Sequence, residues 1–146
     1  KENAILLGPP GTGKTHLAIA LGIRACLAGQ RVAFAPATEW VTRLKDAREN
    51  GVLDQEITRL SRIPLLIIDE VGYIPFDPEA ANLMFALISA RYERSAIILT
   101  TNMAYKHWPR IFNNDTMLTT AILDRLVHHC ETVTIEGKSF RSQKDE

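Results

Sequence analysis

Eight residues near the start of the chain, Gly8, Pro9, Pro10, Gly11, Thr12, Gly13, Lys14 and Thr15, have the spacing G-x-x-x-x-G-K-T. That spacing suits a phosphate. Glycines let consecutive backbone N–H groups turn inward around an anion, the helix that follows aims its positive end at the same point, and Lys14 adds a full charge. Thr15 can offer its hydroxyl to Mg2+. His16, directly after it, is placed either to monitor what the loop binds or to serve the loop's own structure. A plain Gly-Pro turn before an ordinary helix would leave Lys14 without a reason.

Two further stretches carry chemistry. In Leu65-Leu66-Ile67-Ile68-Asp69-Glu70 an apolar run ends in two acids. Carboxylates just past a buried strand are costly to leave unpaired, and a strand-end aspartate is where a phosphate-loop enzyme needs its second Mg2+ contact. Asp69 is thus a candidate metal ligand with Thr15, and Glu70 is suited to polarise a water. Another run ends in Thr100-Thr101-Asn102 at the same sheet edge, where the amide of Asn102 can hydrogen-bond a water or a phosphate oxygen. Further on, Ile122, Leu123, Leu126 and Val127 form one helical stripe, which puts Asp124 and Arg125 on the opposite, exposed side. Arg125 is then either a solvated surface arginine or a finger that reaches a neighbouring subunit's phosphate, where a guanidinium can be worth roughly 10³ to 10⁵ in rate.

The elements that must position these residues follow from the hydrophobic pattern. Apolar runs at residues 4–7, 31–35, 65–69, 96–101 and 132–135 lack polar alternation, as strands buried on both faces of a parallel sheet do. Helical patterns separate them. One begins at Lys14, one covers 38–50 and closes on Gly51, and one runs from about Leu53 to Arg62. Another starts at Pro78 behind the N-cap Asp77, with Ala80, Leu83, Met84, Leu87 and Ile88 on its inner face. The string β-α-β-α-α-β-α-β-α-β predicts a doubly wound α/β domain with a parallel five-stranded sheet and ligands at the strands' carboxyl ends.

Composition narrows the class. The 146 residues suit one domain, and 46% apolar with 23% charged content argues against disorder. Seventeen basic and seventeen acidic residues cancel, so overall charge gives no sign of nucleic-acid or membrane binding. No run approaches a membrane span and no signal peptide opens the chain, so a cytoplasmic protein is expected. Cys26 and Cys130 lack metal-ligand spacing and read as buried free thiols. His128 and His129 are adjacent, a poor arrangement for chelating one metal from a helix, so no metal cluster beyond the phosphate loop's Mg2+ is expected. Arg91 and Arg94, near a helix C-terminus, read as partners of its dipole, and Trp108 and Tyr105 as loop packing. Because Lys1 is not an initiating methionine and a strand begins at once, the chain reads as the core of a longer protein lacking an N-terminal region.

Taken together, GPPGTGKTHLAIALG, LLIIDEVGYIPFD, LISARYERSAIILTTN, HWPRIF and ILDRLVHH followed by EGKSFR resemble the AAA+ ATPases. More narrowly they resemble the IstB-like helpers of insertion-sequence transposition, relatives of the DnaC helicase loaders. The likeness implies ATP and Mg2+ as ligands, Gly8 to Thr15 as the Walker A loop, Asp69 and Glu70 as the Walker B pair, and Asn102 as sensor I. It further implies that Arg125 is a trans-acting arginine finger and Arg141 a cis-acting sensor II, in a core without the usual C-terminal helical lid. Such proteins assemble as rings or helices on duplex DNA and serve a transposase. The DNA surface would be the helix after the second strand, with Arg43, Lys45 and Arg48, although that basic face could equally be solvated.

The resemblance leaves three rivals. A replicative helicase loader would use the same core, but DEVGYIPFD and RYER favour the transposition group. A phosphate-loop kinase would need an acceptor pocket and an arginine-rich closing lid. An inactive nucleotide-binding scaffold would have no use for Glu70 where it stands.

Overall fold

The apolar runs become five parallel strands among the described residues, 2–136, of the computed structural model: β1 (Asn3–Leu7), β2 (Val32–Pro36), β3 (Leu65–Val71), β4 (Ala96–Thr101) and β5 (Cys130–Thr134). Their order across the sheet is β2-β3-β4-β1-β5. The glycine loop leads from β1 into α1 (Lys14–Leu27), and α2 (Ala37–Glu49) and α3 (Leu53–Ser61) join β2 to β3. α4 (Pro78–Arg91) precedes β4, and α5 (Thr116–Val127) precedes β5. A 3-10 turn over Tyr105–Arg110 was not legible in the periodicity.

Alternate strand residues feed two separate cores. Ile5, Leu66, Ile68, Ile97 and Leu99 face α2 to α5, whereas Leu6, Leu65, Ile67 and Ile98 face α1. Helices on both faces explain why the central strands read as unbroken apolar runs. α1 approaches closely because its inner side is small: a Cβ built on Gly22 would stand 3.0 Å from Ile67 Cδ1.

Several expectations change. β5 is an edge strand paired with β1 alone, and residues 131–134 are exposed, so this run is not buried on both faces. Cys26 is exposed on the outer side of α1 and Cys130 is half-buried, so neither is a buried thiol. Val127, expected on the inner stripe of α5, is also exposed. Arg91 is not a dipole partner on the surface. It is 1% exposed and donates to the carbonyls of Leu60 and Ala96, tying the end of α3 to the start of β4. Burial pushes its guanidinium down to about 10, which leaves it charged at neutral pH. Trp108 is fully buried and donates to Met103 O at 2.9 Å, as loop packing requires. No helix among the described residues is long and apolar enough to cross a membrane.

Candidate nucleotide site

The sheet order decides the site. β1 and β3 both flank β4, so the glycine loop after β1, the acids at the end of β3 and the Thr100-Thr101-Asn102 corner of β4 share one edge. The loop has no alternative to glycine at key points. Gly11 and Gly13 adopt φ of 78° and 88°, a region that strains any residue with a Cβ. A Cβ on Gly8 would lie 2.5 Å from the backbone oxygen of Ile135, which donates its own N–H to Leu7 O.

Lys14 opens α1 at 4% exposure, and its Nζ donates to Gly8 O at 2.6 Å and Pro9 O at 2.7 Å. Burial lowers its pKa, while Asp69 and Glu70 act against that shift. The Thr12 hydroxyl closes the turn by donating to Pro9 O. Thr15 Oγ1 donates to the Asp69 carboxylate, at 3.1 Å from Oδ1 and 3.0 Å from Oδ2. From the other side Thr100 Oγ1 donates to Asp69 Oδ1 and accepts the Glu70 N–H at 2.8 Å. Asp69 is thus 3% exposed yet held by two hydroxyls.

Glu70 is turned differently. The β3–β4 register shifts between Ile68 and Val71, and Glu70 takes φ 60°. Such a bulge re-aims a side chain at the end of a strand. Glu70 lines a cavity of about 310 Å³ with Lys14, Thr15, His16 and Tyr73. The Tyr73 phenol is pushed up by burial, then by Glu70 and Asp69.

Sequence reasoning did not assign a role to Thr100 or Tyr73. The one available signal was Thr100 at the end of its run, but its duty depends on β4 lying beside β3. Pro10, Gly11 and Gly13 line the cavity and His16 stands exposed at its mouth. Asn102 sits one strand over, where its Oδ1 would be 3.3 Å from a Cβ on Gly72. Arg125 is not brought to its own chain's loop. It is half-buried rather than exposed, its guanidinium lies 4.9 Å from the Phe85 ring of α4, and it donates to Ala121 O. Arg141 lies outside the described residues.

The proposed DNA residues are already engaged. Arg43 pairs with Glu39 at 3.6 Å and lies over Trp40, Lys45 pairs with Asp77 at 3.1 Å and Glu79 at 3.7 Å, and Arg48 reaches Glu79 at 3.8 Å.

A glycine loop closing on a buried strand-end aspartate, in a 2-3-4-1-5 parallel sheet, defines a phosphate-loop nucleotide-binding protein of the AAA+ kind. The family model of the IstB-like ATP-binding proteins matches residues 1–146, and the chain belongs to that family. It is 49% identical over 140 residues to a Pseudomonas aeruginosa protein described as the ATP-binding protein of insertion sequence IS21. That match covers 96% of this chain and 52% of the relative, so the chain spans about half the relative's length. Two solved structures share the fold. The DnaC helicase loader has a TM-score of 0.75 at 24% identity, covering 92% of this chain and 78% of that one. The replication initiator DnaA bound to AMPPCP and single-stranded DNA has a TM-score of 0.77 at 21% identity, covering 94% and 41%.

The residues present fit a magnesium nucleotide. A threonine hydroxyl and a carboxylate, both oxygen donors, converge within hydrogen-bond distance beside a buried lysine. A hard divalent cation takes such oxygens.

Proposed function

We propose that this chain is the ATP-hydrolysing core of an insertion-sequence helper that assembles on duplex DNA and assists its transposase. The observation that carries the reading is the division of labour between two consecutive acids. Asp69 is clasped by Thr15 and Thr100, while Glu70 is turned by the bulge onto the cavity that Lys14 lines.

In this reading Lys14 and the loop amides hold the phosphates, and Thr15 and Asp69 hold Mg2+. The ion, when bound, neutralises charge on the phosphate oxygens. Glu70 orients a water for attack on the γ-phosphorus, with Asn102 assisting. The new P–O bond forms as the bridging P–O bond breaks, giving ADP and phosphate, and the water's proton leaves through Glu70. Arg125, remote from its own loop, completes a neighbour's site. That needs the guanidinium to leave Phe85, so hydrolysis would depend on assembly. Arg43, Lys45 and Arg48 could meet DNA phosphates only by exchanging them for Glu39, Asp77 and Glu79.

ATP turnover of the full-length protein, measured against protein concentration with and without duplex DNA, tests this. A steep rise with both is expected. Flat, DNA-independent turnover per molecule would overturn the shared site and return the kinase and scaffold readings.

A further inference from the structure

At the far end of α5 the fold assembles a group of side chains that the nucleotide chemistry does not use. His128 and His129 follow the last residue of the helix, and the turn after α4 brings Glu93 against them. One ligand atom from each of the three lies within 4.8 Å of the others. The His129 Nε2 stands 3.9 Å from Glu93 Oε2, and the two imidazole rings are 4.3 Å apart at 89°.

Adjacency of the histidines is no obstacle here. Within a helix successive side chains diverge by about 100°, since there are roughly 3.6 residues per turn. The helix ends at Val127, however, and β5 begins at Cys130, so the pair spans the junction and its rings converge. Glu93 adopts φ 60°, an unusual backbone for a residue with a Cβ, and in that conformation its carboxylate reaches the pair. Two imidazoles and one carboxylate are a donor set for a borderline divalent ion, with one position of a tetrahedron left open.

We propose that Glu93, His128 and His129 form a transition-metal site, with Zn2+ as the ion that best suits the donors. Metal–donor bonds of about 2.0 to 2.2 Å set tetrahedral donor separations near 3.3 Å. Exposed side chains need rotate only slightly from their present spacing to reach that value. The ion would cross-link the turn after α4 to the end of α5, the two helices between which Arg125 packs on Phe85. The site therefore lies beside Arg125 and apart from the cavity of Lys14 and Glu70.

The test titrates the full-length protein with Zn2+ by calorimetry and with Co2+ by visible absorption. One equivalent of Zn2+ should bind, and Co2+ should give the intense visible bands of a four-coordinate nitrogen and oxygen site. Loss of an outer-sphere partner alone weakens metal sites by about 10- to 100-fold, so His129→Ala and Glu93→Gln should each weaken binding at least tenfold. Should His129→Ala fail to fold, Glu93→Gln, on an exposed turn, reads the same coordination. Absence of binding overturns the proposal, as does binding that both variants leave unchanged. A near-ultraviolet thiolate-to-cobalt band lost in Cys130→Ser would also overturn it, by moving the metal to the neighbouring thiol.

Discussion

Asp69 and Glu70 are neighbours in sequence and opposites in environment. One is buried between two hydroxyls, the other exposed toward the loop, and this is what lets two carboxylates take different roles. Glu70→Gln should keep nucleotide affinity while ATP turnover falls by about 10² to 10⁴, the usual worth of a positioned base. Equilibrium binding of a fluorescent nucleotide beside a phosphate-release assay separates the two effects, and unchanged turnover would favour the scaffold reading. Gly8→Ala should act earlier. Its Cβ meets the Ile135 carbonyl at 2.5 Å, a backbone atom that cannot swing aside, so thermal stability and nucleotide affinity should drop together. The glycines, Lys14, Thr15 and both acids were legible as a site because phosphate chemistry demands those residue types at that spacing. Thr100 was not, since nothing local marks a threonine as an aspartate's partner.

At the scale of elements, Arg91 is the joint that periodicity concealed. Its spacing put it near a helix C-terminus, but its fork satisfies two carbonyls from different elements. Arg91→Ala leaves both without this partner and should cost about 2 to 5 kcal/mol in urea denaturation, with Arg91→Lys recovering only part because an ammonium lacks the fork. Helix starts were easier to read. Asp77 and Asp115 accept N–H bonds from Ala80 and Leu118, and Asp115→Ala should cost about 1 kcal/mol. The Asp77 carboxyl is held below its usual value of 3.8, first by the Ala80 N–H and then by Lys45. A depressed acid stabilises the fold above its unfolded pKa, and that contribution disappears as pH falls through the folded one. The melting-temperature advantage of the wild type over Asp77→Asn should therefore be constant from neutral pH down toward 4, and vanish below 3.8.

At the scale of the whole molecule, the distance between Arg125 and its own loop makes the finger a question of partnership. If a neighbour's arginine completes each site, Lys14→Ala and Arg125→Ala should each be inactive alone, yet their mixture should recover turnover, because some interfaces then pair an intact loop with an intact finger. A mixture no faster than the sum of its parts would sink the shared site. Duplex DNA belongs to the same scale. The basic residues of α2 are paired with Glu39, Asp77 and Glu79, so replacing Arg43 or Arg48 by alanine should change the salt dependence of DNA binding by less than one unit of log–log slope, below the ~0.9 expected per freed phosphate contact.

The chain by itself determined the order of strands and helices, the parallel sheet, the loop and the two acids, because hydrophobic period and phosphate chemistry are written in short spans. Only the tertiary structure decided that β4 lies between β1 and β3, that Thr100 therefore clasps Asp69, and that a bulge turns Glu70 outward. It also decided that Arg91 is buried, that Arg125 rests on Phe85 and that Glu93 meets two histidines. The physical reason is common to all of these. Each depends on which residues distant in sequence become neighbours, and that is settled by how the helices cover the sheet rather than by any local preference.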